Sequence, residues 1–217
     1  MAKSTTAKKA AVKTGAKPPA AFSKKTGNTN AASDNPSKYQ PTEDAEMNMQ
    51  SPDSADGLLK LFTDAVKDLY WAENHLVKAL PKLARSVSSK SLTQAIVNHL
   101  EQTKTQVQRL EQVFQSLGKK PQAKKCDAME GLVMEGEGVI EDTDAGTPAR
   151  DLGIIMASQK VEHYEIAAYT GLIKLAGKLG LTDIAETLAE TLVEEQESDQ
   201  LLTGIANNEI TPSSNEA

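Results

Sequence analysis

The segment QKVEHYEIAAYTGL, residues 159–172, turns Glu162 and Glu165 toward the same side of a helix as Ile155, Ile166 and Tyr169. Carboxylates are almost never fully buried unless something pairs with them. Either this face meets water or it requires a partner. The same question recurs along the chain when polar residues are placed at about 100° per residue. Glu73 is in phase with Val66, Leu69, Leu76 and Leu80, and Glu195 lies on the line of Leu188, Thr191 and Leu202, with Asp199 one turn on. His99 and Thr103 are in phase with a fourth apolar stripe, and Asp151 faces inward near the start of the helix that carries Glu162. Glu101, Glu194 and Glu197 fall outside their stripes, and so do His75 and His163.

Glu73, Glu162, Glu165, Glu195, Asp199 and His99 thus form a set of five carboxylates and one imidazole facing one core. Like charges held close in a poorly solvated interior repel by several kcal/mol, on the order of what a small domain gains by folding. A pair of divalent cations resolves the conflict, and carboxylate with imidazole is the donor set that suits Fe or Mn. The Glu-x-x-Glu spacing by itself is common in helices; the signal is its phase, repeated on several helices. Inward acids that are hydrated and bind nothing are the alternative.

Four long helices must position these groups. GLLKLFTDAVKDLYWAENHLVKALPKLARSV, from residue 57, carries a stripe from Leu59 to Ala84, with Pro81 expected to kink the helix rather than stop it. SLTQAIVNHLEQTKTQVQRLEQVFQSL predicts a second helix from about Ser91 to Leu117, ended by Gly118 and Pro121. Residues 119–147 form a long connection with one short helix in CDAMEGLVMEGEGVIEDTD. Thr147 and Pro148 read as cap and first turn of a third long helix reaching about Lys178. After Gly180, Thr182 is expected to cap a fourth, ending near Asn207. Two short connections make two antiparallel hairpins, and the long one crosses the bundle. The fold class is all-α: a ferritin-like four-helix bundle with one long crossover that contains a short extra helix.

Composition supports this and divides the chain. Of the 217 residues 39% are hydrophobic but only 4% aromatic, so the core must be built from Leu, Ile, Val and Ala, which suits helices. Residues 1–40 hold eight Lys against one acid, Asp34, leaving about −13 on the rest of a chain whose net charge is −6. Residues 1–52 are expected to be a disordered Lys/Ala/Ser/Pro-rich tail, 53–210 the bundle, and 211–217 a flexible C-terminus. Clustered Lys can neutralise phosphates without reading sequence, so non-specific DNA binding through residues 1–40 is one expectation, and a solubilising tail the other. Cys126 is the only cysteine, which excludes an intrachain disulfide and a zinc site built on several thiolates. No apolar run approaches a signal or a membrane span, so a soluble, cytoplasmic protein is expected.

LFTDAVKDLYWAENHLVKALPKLA, HLEQTKTQVQRLEQVFQSLGKKP, CDAMEGL, QKVEHYEIAAYTGL and LAETLVEEQESDQLL together resemble the YciE/YciF family of ferritin-like, stress-associated bacterial proteins, over about residues 57–207. The resemblance implies a rubrerythrin-like bundle, a homodimer, and a dinuclear site of two Fe or Mn ions per chain. Ferritin-like analogy makes Glu165 and Glu195 the bridges, with Glu73, Glu162, Asp199 and His99 as terminal ligands. The sequence departs from the usual scheme in two places. Ser198 stands where Glu-x-x-His would place its His after Glu195, with Asp199 as substitute; Lys104 stands in that place after Glu101, and His99 is the replacement. Such a centre would oxidise Fe(II) or consume peroxide during stress. The other function class is a non-enzymatic, nucleoid-associated dimer bound to DNA through its tail.

Overall fold

A computed structural model of the chain describes residues 52–211. The expected tail lies outside the described residues apart from Pro52, and so do residues 212–217 of the expected flexible C-terminus. Five helices follow one another: α1 (Pro52–Ser86), α2 (Lys90–Ser116), α3 (Asp127–Asp142), α4 (Pro148–Lys178) and α5 (Thr182–Asn208). No strand occurs among the described residues. α1 starts five residues before the expected position and continues through Pro81 to Ser86. α1 packs on α2 and α4 on α5 as hairpins, α2 meets α5 and α1 meets α4 across the bundle, and α3 lies against α4 and α1. This is the four-helix bundle with a helix-bearing crossover.

Local chemistry sets the helix ends. Ser89 Oγ accepts from Leu92 N at 3.2 Å to start α2, and Thr147 Oγ1 accepts from Arg150 N at 3.3 Å to start α4, with Pro148 behind it. Gly118 and Gly180 adopt φ of 66° and 69°. There Lys119 N reaches Phe114 O and Leu181 N reaches Ala176 O, each at 2.9 Å, closing the last turns of α2 and α4. The expected Thr182 cap is corrected: Leu181 is the cap of α5 and supplies no side-chain bond. Leu181 already closes the turn that ends α4, so one residue serves both helix ends and Thr182 becomes the first helical residue.

The core is aliphatic, as the composition requires. Phe62, Leu69, Leu76, Leu92, Leu110, Phe114, Ile154, Ile155 and Leu188 are essentially inaccessible to solvent. Among these apolar layers runs one polar layer, contributed by all four long helices.

Candidate metal centre

Glu73 on α1, Glu165 on α4 and Glu195 on α5 have no exposure at all; Glu162 retains 2% and His99, on α2, 6%. One ligand atom each from His99, Glu162, Glu165 and Glu195 can be chosen so that all lie within 4.8 Å of one another. Glu73 borders this group. Its Oε1 accepts a 2.6 Å hydrogen bond from the buried Tyr169 hydroxyl, and its carboxyl lies in hydrogen-bonding range of Glu165. Glu162 and Glu195 form a second such carboxyl pair.

No N–H or O–H donor of the protein reaches Glu73 Oε2, Glu162 Oε2, either oxygen of Glu165, Glu195 Oε2, or the His99 Nε2 atom. Buried polar atoms are nearly always satisfied, so this concentration of exceptions in one layer demands a cause. Carboxylates that meet only each other require a proton or a cation between them. Burial, reinforced by the neighbouring Glu195 charge, pushes Glu73 and Glu162 well above the usual carboxylate range; burial and the Glu73 charge do the same to Glu165. Burial also raises Glu195 to about 7 and lowers His99 to about 4.

His99 is therefore neutral at physiological pH. Its Nδ1 lies 3.4 Å from Ser198 Oγ, and its Nε2 faces Glu162 Oε1 at 3.6 Å. When Nδ1–H donates to Ser198, the Nε2 lone pair confronts a carboxylate oxygen, an arrangement a bound cation would stabilise. Ser198, in the place where a Glu-x-x-His motif would carry its His, thus holds an imidazole that arrives from α2 instead. The donor chemistry, the convergence and the unsatisfied atoms fit a bound metal cation.

Asp199 stands apart from the group. Its carboxylate accepts from Gln159 Nε2 at 3.1 Å and lies 3.3 Å from His163 Nε2. One further turn along α5 carries it past the polar layer to the rim between α4 and α5, where partners on α4 engage both oxygens. His163 is exposed, as its off-stripe phase implies, and His75 stacks on Trp71 at 4.5 Å. Glu101 is exposed and pairs with Lys104 at 2.6 Å. Asp151, buried like the acids of the centre, is fully engaged by Ser88 and Ser89.

Sequence reasoning missed Gln106. It is fully buried, and its Nε2 donates to Glu195 Oε1 and, at 3.1 Å, to Glu194 Oε2. Its place on the stripe that carries His99 and Thr103 was the available signal. Arg109 in turn grips Glu194 with two bonds of 2.6 and 2.8 Å.

Two cavities of about 20 Å³ each adjoin His99 and Glu162, one beneath Leu132, Val133 and Gly136 of α3, the other beside Ser198. Each has room for roughly one water-sized molecule. A groove of about 400 Å³ along α1 and α4, lined by Leu61, Asp68 and Tyr164, includes none of the clustered acids. The free space beside the buried acids is thus on the scale of single water molecules.

The family model described as "Domain of unknown function (DUF892)" matches residues 57–214. The protein YciF of Escherichia coli K12 is 46% identical over 151 residues, which is 69% of this chain and 90% of that protein. The crystal structure of the E. coli stress protein YciF superposes with a TM-score of 0.67 at 45% identity, covering 70% of this chain and 95% of that one. YcfI from Rhodopseudomonas palustris gives 0.65 at 36% identity, covering 73% and 96%.

Proposed function

Since the chain belongs to the DUF892 family and is similar to YciF over most of its length, we propose that its buried cluster holds Fe or Mn in a carboxylate-bridged dinuclear centre that oxidises Fe(II) or consumes peroxide under stress. The observation that carries this reading is the convergence of His99, Glu162, Glu165 and Glu195 with buried donor atoms that no protein group satisfies. His99, Glu162, Glu165 and Glu195 would hold one ion, and Glu73 with Glu165 would extend the site to a second. Bound Fe or Mn would supply one-electron redox chemistry. The chain's own part is positioning and exclusion: Tyr169 fixes Glu73, Ser198 orients His99, and the small cavities admit dioxygen, peroxide or water while excluding larger reductants. No described helix is long and apolar enough to cross a membrane.

The test is elemental mass spectrometry on protein purified without a metal-affinity tag, with Glu165→Ala as control, followed by oxygen-electrode assays after anaerobic Fe(II) loading. Fe or Mn that the substitution abolishes, with Fe(II)-dependent oxygen or peroxide consumption, is the expected result. Protein that takes up neither metal refutes the proposal.

A second reading rests on charge. The eight Lys of residues 1–40 oppose an otherwise acidic chain, which suits non-specific attachment to DNA. Binding should then weaken steeply with salt and vanish when residues 1–51 are removed; affinity indifferent to both would reject it.

A further inference from the structure

Gln106 is a neutral side chain wedged among acids. Its amide nitrogen meets two carboxylates, Glu195 Oε1 and Glu194 Oε2, and this fixes which way the amide points. Flipped, it would press its carbonyl oxygen against both. Glu194 is itself immobilised by the two Arg109 bonds, and Arg109 also reaches Thr191 Oγ1 at 3.3 Å. The clasp therefore runs from a partly exposed guanidinium to the centre, and Gln106 Oε1 is left buried without a partner.

A carboxylate bridges two cations most readily when each of its oxygens is free to face one of them. Glu165 meets that condition, because no donor claims either oxygen. Glu195 meets it less well: the Gln106 amide occupies one lone-pair site of Oε1, and Oε2 alone is free of donors. We infer that Gln106 makes the two metal positions unequal, weakening Glu195 as a bridge so that one ion binds tightly and the second weakly. The first position keeps three carboxylates and an imidazole. The second keeps Glu73, one of whose oxygens is engaged by Tyr169, a share of Glu165, and at best the neutral Gln106 carbonyl. Gln106 is thus a positioning residue that sets the order of filling. This inference rests on the metal-centre reading above.

The experiment is an anaerobic Mn(II) titration of the full chain, with bound metal counted by equilibrium dialysis and its state read by electron paramagnetic resonance. The wild type should take up one Mn(II) with the spectrum of an isolated ion, and a second only at free Mn(II) higher by about tenfold or more, the scale on which outer contacts tune metal affinity. Gln106→Glu, which supplies an acid at this position, should strengthen the second step by about tenfold with little change in the first. Gln106→Leu, which frees Glu195 Oε1, should also narrow the gap. Two ions entering the wild type in one step with a spin-coupled spectrum overturn the inference and leave the metal centre standing. A ratio of the two steps that stays unchanged in the folded variants does the same. No Mn(II) uptake by the wild type or any folded variant overturns both. The wild-type titration can overturn the inference even if neither variant folds.

Discussion

Asp151 and Glu165 lie on the same helix and are both buried, at 3% and 0% exposure, yet they occupy opposite chemical situations. Asp151 Oδ1 accepts from Ser88 N at 2.8 Å, and Oδ2 accepts from Ser88 Oγ at 2.8 Å and Ser89 N at 2.9 Å. It clips the turn between α1 and α2 onto the start of α4, and its charge is answered by donors that the fold supplies. Glu165 receives no donor, and its neighbours are other acids. Burial alone therefore does not distinguish a structural acid from a functional one; the supply of donors does. An acid the fold has completed is structural, whereas one that the fold has gathered with its own kind is left without donors and is a candidate metal ligand.

Four experiments would break or sharpen this contrast. The largest effect is expected at the clip: Asp151→Ala removes three hydrogen bonds to a carboxylate, from two N–H groups and a hydroxyl of a partly exposed turn, and should lower stability by about 3 kcal/mol in urea melts. A loss below half of that would mean that Asp151 is no better satisfied than Glu165. Next, Mn(II) at about 100 times its dissociation constant should stabilise the wild type by about 2.7 kcal/mol, because it binds only the folded state. Glu165→Ala should erase that gain, and an unchanged gain would remove Glu165 from the centre.

Smaller, and opposite in sign to the clip, is the effect of Glu165→Gln on protein held in chelator. An amide of the same shape removes the like charge, so this variant should be more stable than the metal-free parent by about 1 kcal/mol at pH 8. Destabilisation would show that the carboxyl is structurally satisfied after all.

The gentlest probe is pH. The folded pKa of Glu195 is raised to about 7 from 4.5, and Glu73, Glu162 and Glu165 shift the same way. The protonated acids therefore contribute stability that is complete below about 4.5 and lost as pH rises, in the case of Glu195 through about 7. His99, lowered to about 4 from 6.5, acts in the reverse sense, favouring the folded state as pH rises between those values. Four acids outweigh one imidazole, so the melting temperature in chelator should fall from pH 6 to pH 8. With saturating Mn(II) that decline should be absent, because metal and protons compete for the same oxygens. A parallel decline with and without metal would separate the acids from metal binding.

Much of this was legible in the sequence because helical phase is local. The inward placement of Glu73, His99, Glu162, Glu165 and Glu195, the exclusion of Glu101, and the ends marked by Gly118, Thr147 and Gly180 all follow from residue spacing and backbone preference. Asp199 shows the limit. Its phase is nearly that of Glu195, but Gln159 and His163 on α4 meet it, and no pattern within α5 reveals what a neighbouring helix offers at that height. Gln106 was hidden for a different reason: a neutral amide on an inward stripe raises no alarm until the carboxylates on either side of its nitrogen are known. Even the α5 cap turned on the preceding helix end, since the Leu181 residue was already committed to closing α4.

The sequence by itself determined that four helices fold with acids and a histidine turned inward, because periodicity and turn chemistry act within a few residues. The tertiary structure decided which of those acids the protein satisfies and which it leaves without donors. That outcome depends on the axial registry of separate helices, through which Ser88 and Ser89 reach Asp151, Gln106 reaches Glu195, and no donor reaches Glu165.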